Sequence, residues 1–159
     1  MTSKRLPPVI GYRFDDLEIG HTFETDRVTF TESAIIDYAL QWDPQPFHID
    51  RRAAERSLFT GLVASGLHTL NLSYRLFCDS GFLRGNVVAG LGLEAVRFPR
   101  PVTPGMTVHV RVTVSEKAAT KSPERGRLKL LLQTVSDRDE VVLETGLNVL
   151  VSLRESGSG

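Results

Sequence analysis

The stretch 42–50 carries an acid and an imidazole five positions apart on a short loop. Asp43 and His48 are side chains of the kinds that most often move protons in enzymes. Pro44 and Pro46 fix their own φ and keep the residue before each out of the α region, so a stiff loop is predicted. Such a loop can hold two catalytic groups in fixed geometry. The alternative is that Asp43 only ends a helix or turn and that His48 is an ordinary surface histidine.

A second feature is the segment Ala64-Ser65-Gly66, which is predicted to open a long helix. If the helix starts there, the N–H groups of Ser65, Gly66 and Leu67 are unpaired donors at the positive end of the helix dipole. Such donors can hold a carbonyl that acquires negative charge, and a glycine lets a substrate approach the backbone closely. Together with an acid and an imidazole, they suit proton transfer at carbons next to a carbonyl. The alternative is that Gly66 only permits close packing of a helix on a sheet.

Two short helices are predicted on either side of the loop. Thr31 is a suitable N-cap for the first, whose apolar residues recur at helical spacing up to Trp42. Asp50 can cap the second, over residues 51–57. The segment 22–30, just before them, is rich in Thr, Val and Phe and is predicted to be a strand.

The helix that opens near Gly66 is predicted to be buried over most of its circumference. Its apolar positions repeat in alternating steps of four and three residues. These positions are Val63, Leu67, Leu70, Tyr74 and Phe77. Cys78 falls within the same pattern and is predicted to be a buried, unreactive thiol. Gly81 is predicted to lie at the end of this helix.

The second half of the chain is strand-like. Strands are predicted over 86–98, over 107–115 where apolar and polar residues alternate, from Leu128 onward, and over 141–153. Short turns between consecutive strands indicate an antiparallel sheet, and its apolar face needs the long helix to cover it. The predicted fold class is α+β: a single domain in which a curved antiparallel sheet wraps around a long central helix.

Composition excludes several classes of function. Nineteen basic and nineteen acidic side chains cancel, which gives no indication of a nucleic-acid partner or a membrane surface. No apolar run reaches the length of about 20 residues that a membrane span needs, and no signal segment is recognised, so a cytoplasmic protein is predicted. The histidines are scattered and no glycine-rich phosphate loop is present, so neither a metal nor a cofactor is predicted. Residues 156–159 are interpreted as a flexible tail.

Three segments, in order, resemble the MaoC-like hydratase/dehydratase family, which includes R-specific enoyl-CoA hydratases. They are 43–48, 61–66 and 96–105. The family pattern is an Asp, four residues, a His, and later a Gly at the start of the central helix. The resemblance extends over nearly the whole chain from about Phe14. It implies a hot-dog domain over residues 1–155, which is compatible with the helix and sheet derived above.

The resemblance also implies a reaction. Asp43 and His48 would hold and activate a water and move protons to or from the α-carbon and β-oxygen of a trans-2-enoyl thioester, with the choice of base left open. The Gly66 amide would bind the thioester oxygen, and Gln45 and Ser65 would contact the substrate. The family implies an acyl-CoA or acyl-carrier thioester as substrate and a homodimer, with larger homo-oligomers left open. A ligand of this size carries phosphates; the candidate contacts, each of which could equally be an ordinary solvated charge, are Arg51, Arg52, Arg97, Arg100 and Lys121.

Two other functions are open at this stage. A hot-dog thioesterase would need a carboxylate or an equivalent nucleophile arrangement on the central helix, and Asp79 lies near the far end of that helix. A non-catalytic subunit that only binds acyl thioesters would be expected if Asp43 or His48 were missing, and both are present. Hydration keeps the thioester bond whereas hydrolysis frees a thiol, so product analysis separates the two enzymes.

Overall fold

A curved sheet of seven strands surrounds one long helix in the computed structural model, which describes residues 4–154. The strand order is β1-β2-β5-β6-β7-β4, β3 also pairs with β5, and every pairing except β1 with β2 is antiparallel. The strands are β1 (Lys4–Arg5), β2 (His21–Glu24), β3 (Val28–Thr29), β4 (Val87–Arg97), β5 (Thr107–Ala119), β6 (Arg125–Ser136) and β7 (Val141–Ser152). The predicted α+β architecture is confirmed. The tail 156–159 lies outside the described residues.

Four helices lie between β3 and β4. They are α1 (Glu32–Trp42), α2 (Pro46–Ile49), α3 (Arg51–Glu55) and α4 (Gly66–Asp79). The predicted caps form, because the side chains of Thr31 and Asp50 accept hydrogen bonds from the N–H groups of Ala34 and Ala53. The third helix ends at Glu55, two residues before its predicted end. The one-turn α2 was not predicted; a proline at its first position, which needs no N–H there, starts it.

The sequence predicted one continuous strand over 22–30, and this prediction is wrong. The structure has two strands there, β2 and β3, separated by residues 25–27. At this break the Thr25 hydroxyl accepts a hydrogen bond of 2.9 Å from the Val110 N–H. A side chain therefore replaces a backbone carbonyl in the ladder, which lets the strand bend without leaving a buried donor unpaired.

Helix α4 packs on the sheet through a face that matches the predicted one only in part: Phe77 is buried as predicted. The buried residues are Thr69, Ser73, Leu76 and Phe77. The Ser73 and Thr134 hydroxyls hydrogen-bond to each other at 2.6 Å between the helix and β6. Small hydroxyl side chains let the helix lie close to the sheet, and this pairing satisfies them in the core. Leu67 and Tyr74, predicted to be buried, are exposed.

The exposed side of α4 and the edge strand β4 both carry apolar side chains, and the two together are called here the α4–β4 surface. Within residues 4–154, β4 pairs with β7 along one edge and with no strand along the other. The exposed apolar residues are Leu67 and Tyr74 on α4 and Val87, Val88, Leu91, Leu93 and Val96 on β4. Cys78 is also exposed, so its predicted burial is wrong, because α4 turns this side away from the sheet. None of the described helices is long and apolar enough to cross a membrane.

Candidate active site

The structure brings Asp43 and His48 together at the junction of α1 and α2. Asp43 is the C-cap of α1, and its N–H donates a hydrogen bond of 2.9 Å to the Ala39 carbonyl. His48 is buried within α2. Its Nε2 lies 3.4 Å from Oδ2 of Asp43, which is longer than a direct hydrogen bond. The pair predicted from spacing therefore forms one acid–imidazole site.

The imidazole of His48 has a defined orientation. Its Nδ1 lies 2.6 Å from the carbonyl oxygen of Val63. A carbonyl can only accept, so Nδ1 carries the proton and donates it, and in the neutral ring the lone pair is on Nε2. The Phe47 ring packs edge-on against the imidazole, with the ring centroids 4.6 Å apart. Nε2, on the side of Asp43, is the nitrogen left for chemistry.

Ser65 links the acid to the start of helix α4. Its side chain is fully buried, and its hydroxyl donates a hydrogen bond of 2.6 Å to Oδ2 of Asp43. The Ser65 hydroxyl oxygen also accepts a hydrogen bond of 3.2 Å from the Leu67 N–H, which makes Ser65 the N-cap of α4. The hydroxyl proton is committed to Asp43, and a substrate contact by Ser65 stays a prediction.

Gly66 is the first residue of α4, as predicted, and none of the described residues accepts a hydrogen bond from its N–H. The residue is also crowded, because a Cβ placed on it would lie 2.7–2.8 Å from atoms of the Phe98 ring. A free donor favours the catalytic interpretation of this glycine. The contact with Phe98 is the packing that the alternative interpretation requires, so the geometry supports both.

These groups open onto one cavity of about 490 Å³. Asp43, His48, Ser65 and Gly66 all line it. Its apolar walls include Phe47, Phe59, Val63, Phe98, Val102 and Val142. A space of this size with apolar walls and a few convergent polar groups is typical of a small-molecule site. Gln45 is exposed at the N-cap of α2 and does not line this cavity.

The segment 98–102 closes one side of the cavity, and sequence reasoning did not assign it to the site as a wall. Phe98 lies against Gly66, and the Val102 carbonyl accepts a hydrogen bond of 2.8 Å from the Ala64 N–H. The signal in the sequence was the alternation of two prolines with Phe, Arg and Val directly after a strand. That pattern predicts a stiff extended segment but not the element it contacts.

Two aromatic rings, one from α1 and one from α4, stack on each other near the site. Burial raises the pKa of Tyr38, and the negative charge of Asp43 adds to this effect. The His68 ring stacks on the Tyr38 ring, with the centroids 4.5 Å apart, and burial lowers the pKa of His68. His68 is therefore a packed, neutral histidine near neutral pH. Asn71 donates a hydrogen bond of 2.7 Å to the Tyr38 hydroxyl.

The carboxylate that a thioesterase would need is not supplied by Asp79. This residue ends α4, forms an ion pair of 3.3 Å with Arg75 one turn earlier, and does not line the cavity. Across residues 4–154, no three His, Cys, Asp or Glu side chains are grouped so that they could hold a metal ion.

Comparison with known proteins identifies the class. Residues 16–135, more than half of the chain, match the family model described as a MaoC like domain. The chain therefore belongs to the MaoC-like family, as the resemblance in the sequence indicated. A MaoC-like dehydratase from Rhodospirillum rubrum has a similar structure, with a TM-score of 0.85 and 37% identity over 91% of this chain and 99% of that one.

Two further relatives extend the comparison. A 3-hydroxybutyryl-CoA dehydratase of Methylorubrum extorquens is 32% identical over 155 residues, covering 94% of this chain and 90% of the relative. A Mycobacterium tuberculosis protein described as having a double hot-dog fold superposes with a TM-score of 0.71 at 22% identity, over 94% of this chain and 46% of that one. The fold is a hot dog, and two of these three proteins are named as dehydratases.

Proposed function

We propose that the protein adds water to trans-2-enoyl thioesters, or removes it from 3-hydroxyacyl thioesters. The observation that carries this proposal is the meeting of three groups at one apolar cavity: the Asp43 carboxylate, Nε2 of His48 and the free N–H of Gly66. The relative from Methylorubrum extorquens, named as a 3-hydroxybutyryl-CoA dehydratase, supports the same chemistry.

The gap between the acid and the imidazole suits a water molecule. Oδ2 of Asp43 and Nε2 of His48 are 3.4 Å apart. A water about 2.8 Å from each atom closes a triangle over that gap. Between them, Asp43 and His48 remove a proton from this water as its oxygen bonds to the β-carbon, and they deliver a proton to the α-carbon. Which of the two is the base is left open.

Gly66 supplies the electrophilic part of the mechanism. When water attacks the β-carbon, negative charge moves through the α-carbon onto the thioester oxygen. The Gly66 N–H at the start of α4 can donate to that oxygen, and the dipole of a 14-residue helix lies behind it. Ser65 holds the Asp43 carboxylate beside the same helix end. Gln45, on the exposed side of the loop, is proposed to contact the ligand where it leaves the cavity.

The α4–β4 surface supports a homodimer as part of this proposal. An unpaired edge strand presents free N–H and C=O groups, and this one also exposes apolar side chains together with Leu67 and Tyr74 of α4. A second copy pairing antiparallel along β4 would extend the sheet and cover both. The acyl group would be carried by CoA or by a carrier protein, and the cytoplasm is the proposed location.

The test is loss of the ultraviolet absorbance of the enoyl thioester when purified protein is added to crotonyl-CoA. We expect turnover by the wild type and a loss of kcat of about 100- to 10,000-fold in Asp43→Asn and in His48→Gln, because each removes one proton-transfer group. A thiol reagent run in parallel detects thioester hydrolysis. Melting curves show that the variants are folded. Turnover that survives in both folded variants, or release of thiol in place of hydration, would contradict the proposal.

A further inference from the structure

Arg100 is the cation that lines the catalytic cavity. Five basic residues were candidates for contacting an anionic part of the ligand, and the structure separates them. Arg51 is committed to Glu32 through two hydrogen bonds of 2.6 Å. Neither Arg51 nor any of the other three, which are Arg52, Arg97 and Lys121, lines the cavity. Arg100 is therefore the candidate that lies at the site itself.

The position of Arg100 is fixed by its neighbours in the chain. It lies two residues after Phe98, whose ring packs on Gly66, and two residues before Val102, whose carbonyl is bonded to the Ala64 N–H. Two residues span at most about 7 Å, so the Arg100 backbone stays close to both attachment points. The proline that follows keeps Arg100 extended. The Arg100 backbone is thus held at the wall of the cavity, while its side chain is largely exposed.

The charge of Arg100 is available to a ligand. Its ion pair with Glu140 is a single long contact of 3.5 Å, and its side chain is 58% exposed. Among the residues that the structure describes, none makes a hydrogen bond to it, although a guanidinium carries five N–H donors. The other polar side chains at this cavity are engaged with one another or with the backbone, as Asp43 and His48 are.

We propose that Arg100 binds an anionic group of the acyl thioester at the mouth of the cavity, away from the reacting carbons. This inference rests on the proposed function in one respect, namely that the ligand is an acyl thioester. The planar guanidinium can pair with two oxygens of one anion, as it does with carboxylates and phosphates. The oxygens could belong to a carboxylate on the acyl chain or to the phosphates of the carrier, at the far end of its arm from the sulfur.

Equilibrium binding of four unreactive saturated thioesters distinguishes these sources. The ligands are pentanoyl and glutaryl thioesters of CoA and of pantetheine, measured by calorimetry with wild type and Arg100→Gln. If the anion is a phosphate, the variant weakens both CoA ligands by about 10- to 100-fold and leaves pentanoyl-pantetheine unchanged. If it is an acyl carboxylate, the variant weakens both glutaryl ligands by a similar factor and leaves the pentanoyl ligands unchanged. Equal weakening of all four, or of none, would overturn the proposal.

Two matched variants separate binding from structure. Arg100→Lys keeps a positive charge and should recover part of the lost affinity. Glu140→Gln removes the same ion pair while keeping the guanidinium, so we expect binding equal to or tighter than that of the wild type. If Glu140→Gln instead weakens binding as much as Arg100→Gln, the ion pair only supports the segment 98–102, and the inference fails.

Turnover of crotonyl-CoA by the wild type is measured in a separate experiment, so that failure of the anion site and failure of the hydratase proposal can be told apart. Turnover with unchanged affinities in Arg100→Gln overturns the anion site alone. A selective loss of affinity in a protein that turns over no enoyl thioester overturns the hydratase proposal alone. A wild type that binds none of the four ligands overturns both.

Discussion

Replacing Gly66 with alanine separates packing from chemistry at the start of α4. The added methyl group would lie 2.7–2.8 Å from the Phe98 ring, so something must move. The ring is the far end of a side chain that is 48% exposed, and it can swing toward solvent. In a helix the Cα–Cβ bond tilts toward the N-terminus. The methyl group therefore points to the side from which a thioester oxygen would approach the Gly66 N–H.

The expected magnitudes for stability and activity differ. Alanine is favoured over glycine in a helix by up to about 1 kcal/mol, and losing part of the packing of a half-exposed Phe98 offsets a similar amount. We expect the free energy of unfolding to change by less than about 1 kcal/mol, which is a melting shift of about 2–4 °C at this chain length. Loss of one oxyanion donor lowers kcat by about 100- to 1,000-fold.

The assay compares four proteins: wild type, Gly66→Ala, Phe98→Ala and the double variant. Melting temperature is followed by circular dichroism and kcat by the absorbance of crotonyl-CoA. Phe98→Ala removes the ring that the new methyl group would meet, so the double variant should be as stable as Phe98→Ala or slightly more stable. Its kcat should remain about 100-fold or more below that of Phe98→Ala, because the methyl group still obstructs the amide.

One result would refute this reasoning. If the double variant has the same kcat as Phe98→Ala, then Gly66→Ala lowers kcat only because it displaces the Phe98 ring. The glycine would then serve packing alone, and the thioester oxygen would need another donor. The control that all four proteins are folded comes from the same melting curves.

Three further predictions follow from other contacts. Ser65→Ala removes both the N-cap of α4 and the hydrogen bond to Asp43, so we expect a loss of about 0.5–2 kcal/mol in denaturant unfolding together with a lower kcat; a normal kcat would show that the bond does not orient the acid. Gly126→Ala brings a methyl group into steric overlap with atoms of the Phe14 ring, and overpacking should cost about 1–3 kcal/mol; an unchanged melting temperature would contradict the packing. Burial lowers the pKa of His109 below its ordinary value of 6.5, so the unfolded chain takes up a proton at a higher pH than the native protein, and stability falls as pH drops through 6.5. His109→Gln should flatten that slope in urea titrations between pH 5 and 7.5, and an unchanged slope would assign it to other groups.

Local signals in the sequence predicted the elements and the start of the site well. Thr31 and Asp50 cap their helices because a cap depends on residues three positions away, which the sequence shows directly. Alternation in β5 predicted a half-buried strand, and the structure has one over Thr107–Ala119. The spacing of Asp43 and His48 on a short loop with two prolines allowed them to meet but left an ordinary structural role open, and the resemblance of three segments to the family favoured the pair that the structure contains.

Contacts between distant parts of the chain could not be predicted in the same way. The ring of Phe98 lies on Gly66 because β4 ends beside the start of α4, and that register depends on how the whole sheet curves. Similarly, Val63 orients His48 from 15 positions away. The sequence does not indicate which backbone carbonyl will accept a hydrogen bond from a side chain, since every residue has one. The motif therefore predicted where the imidazole lies in the chain but not how it is oriented.

The error about α4 has a physical cause that bears on assembly. Periodicity finds residues that avoid water, but it does not say whether the chain itself or a second copy covers them. Leu67 and Tyr74 satisfy the apolar repeat yet remain exposed, whereas Thr69 and Ser73 do not satisfy it and are buried on the sheet. A protein that exposes apolar side chains on a helix and on an edge strand is less soluble unless something covers them. The exposed apolar residues of α4 thus add to the unpaired edge of β4 as a reason to propose a homodimer.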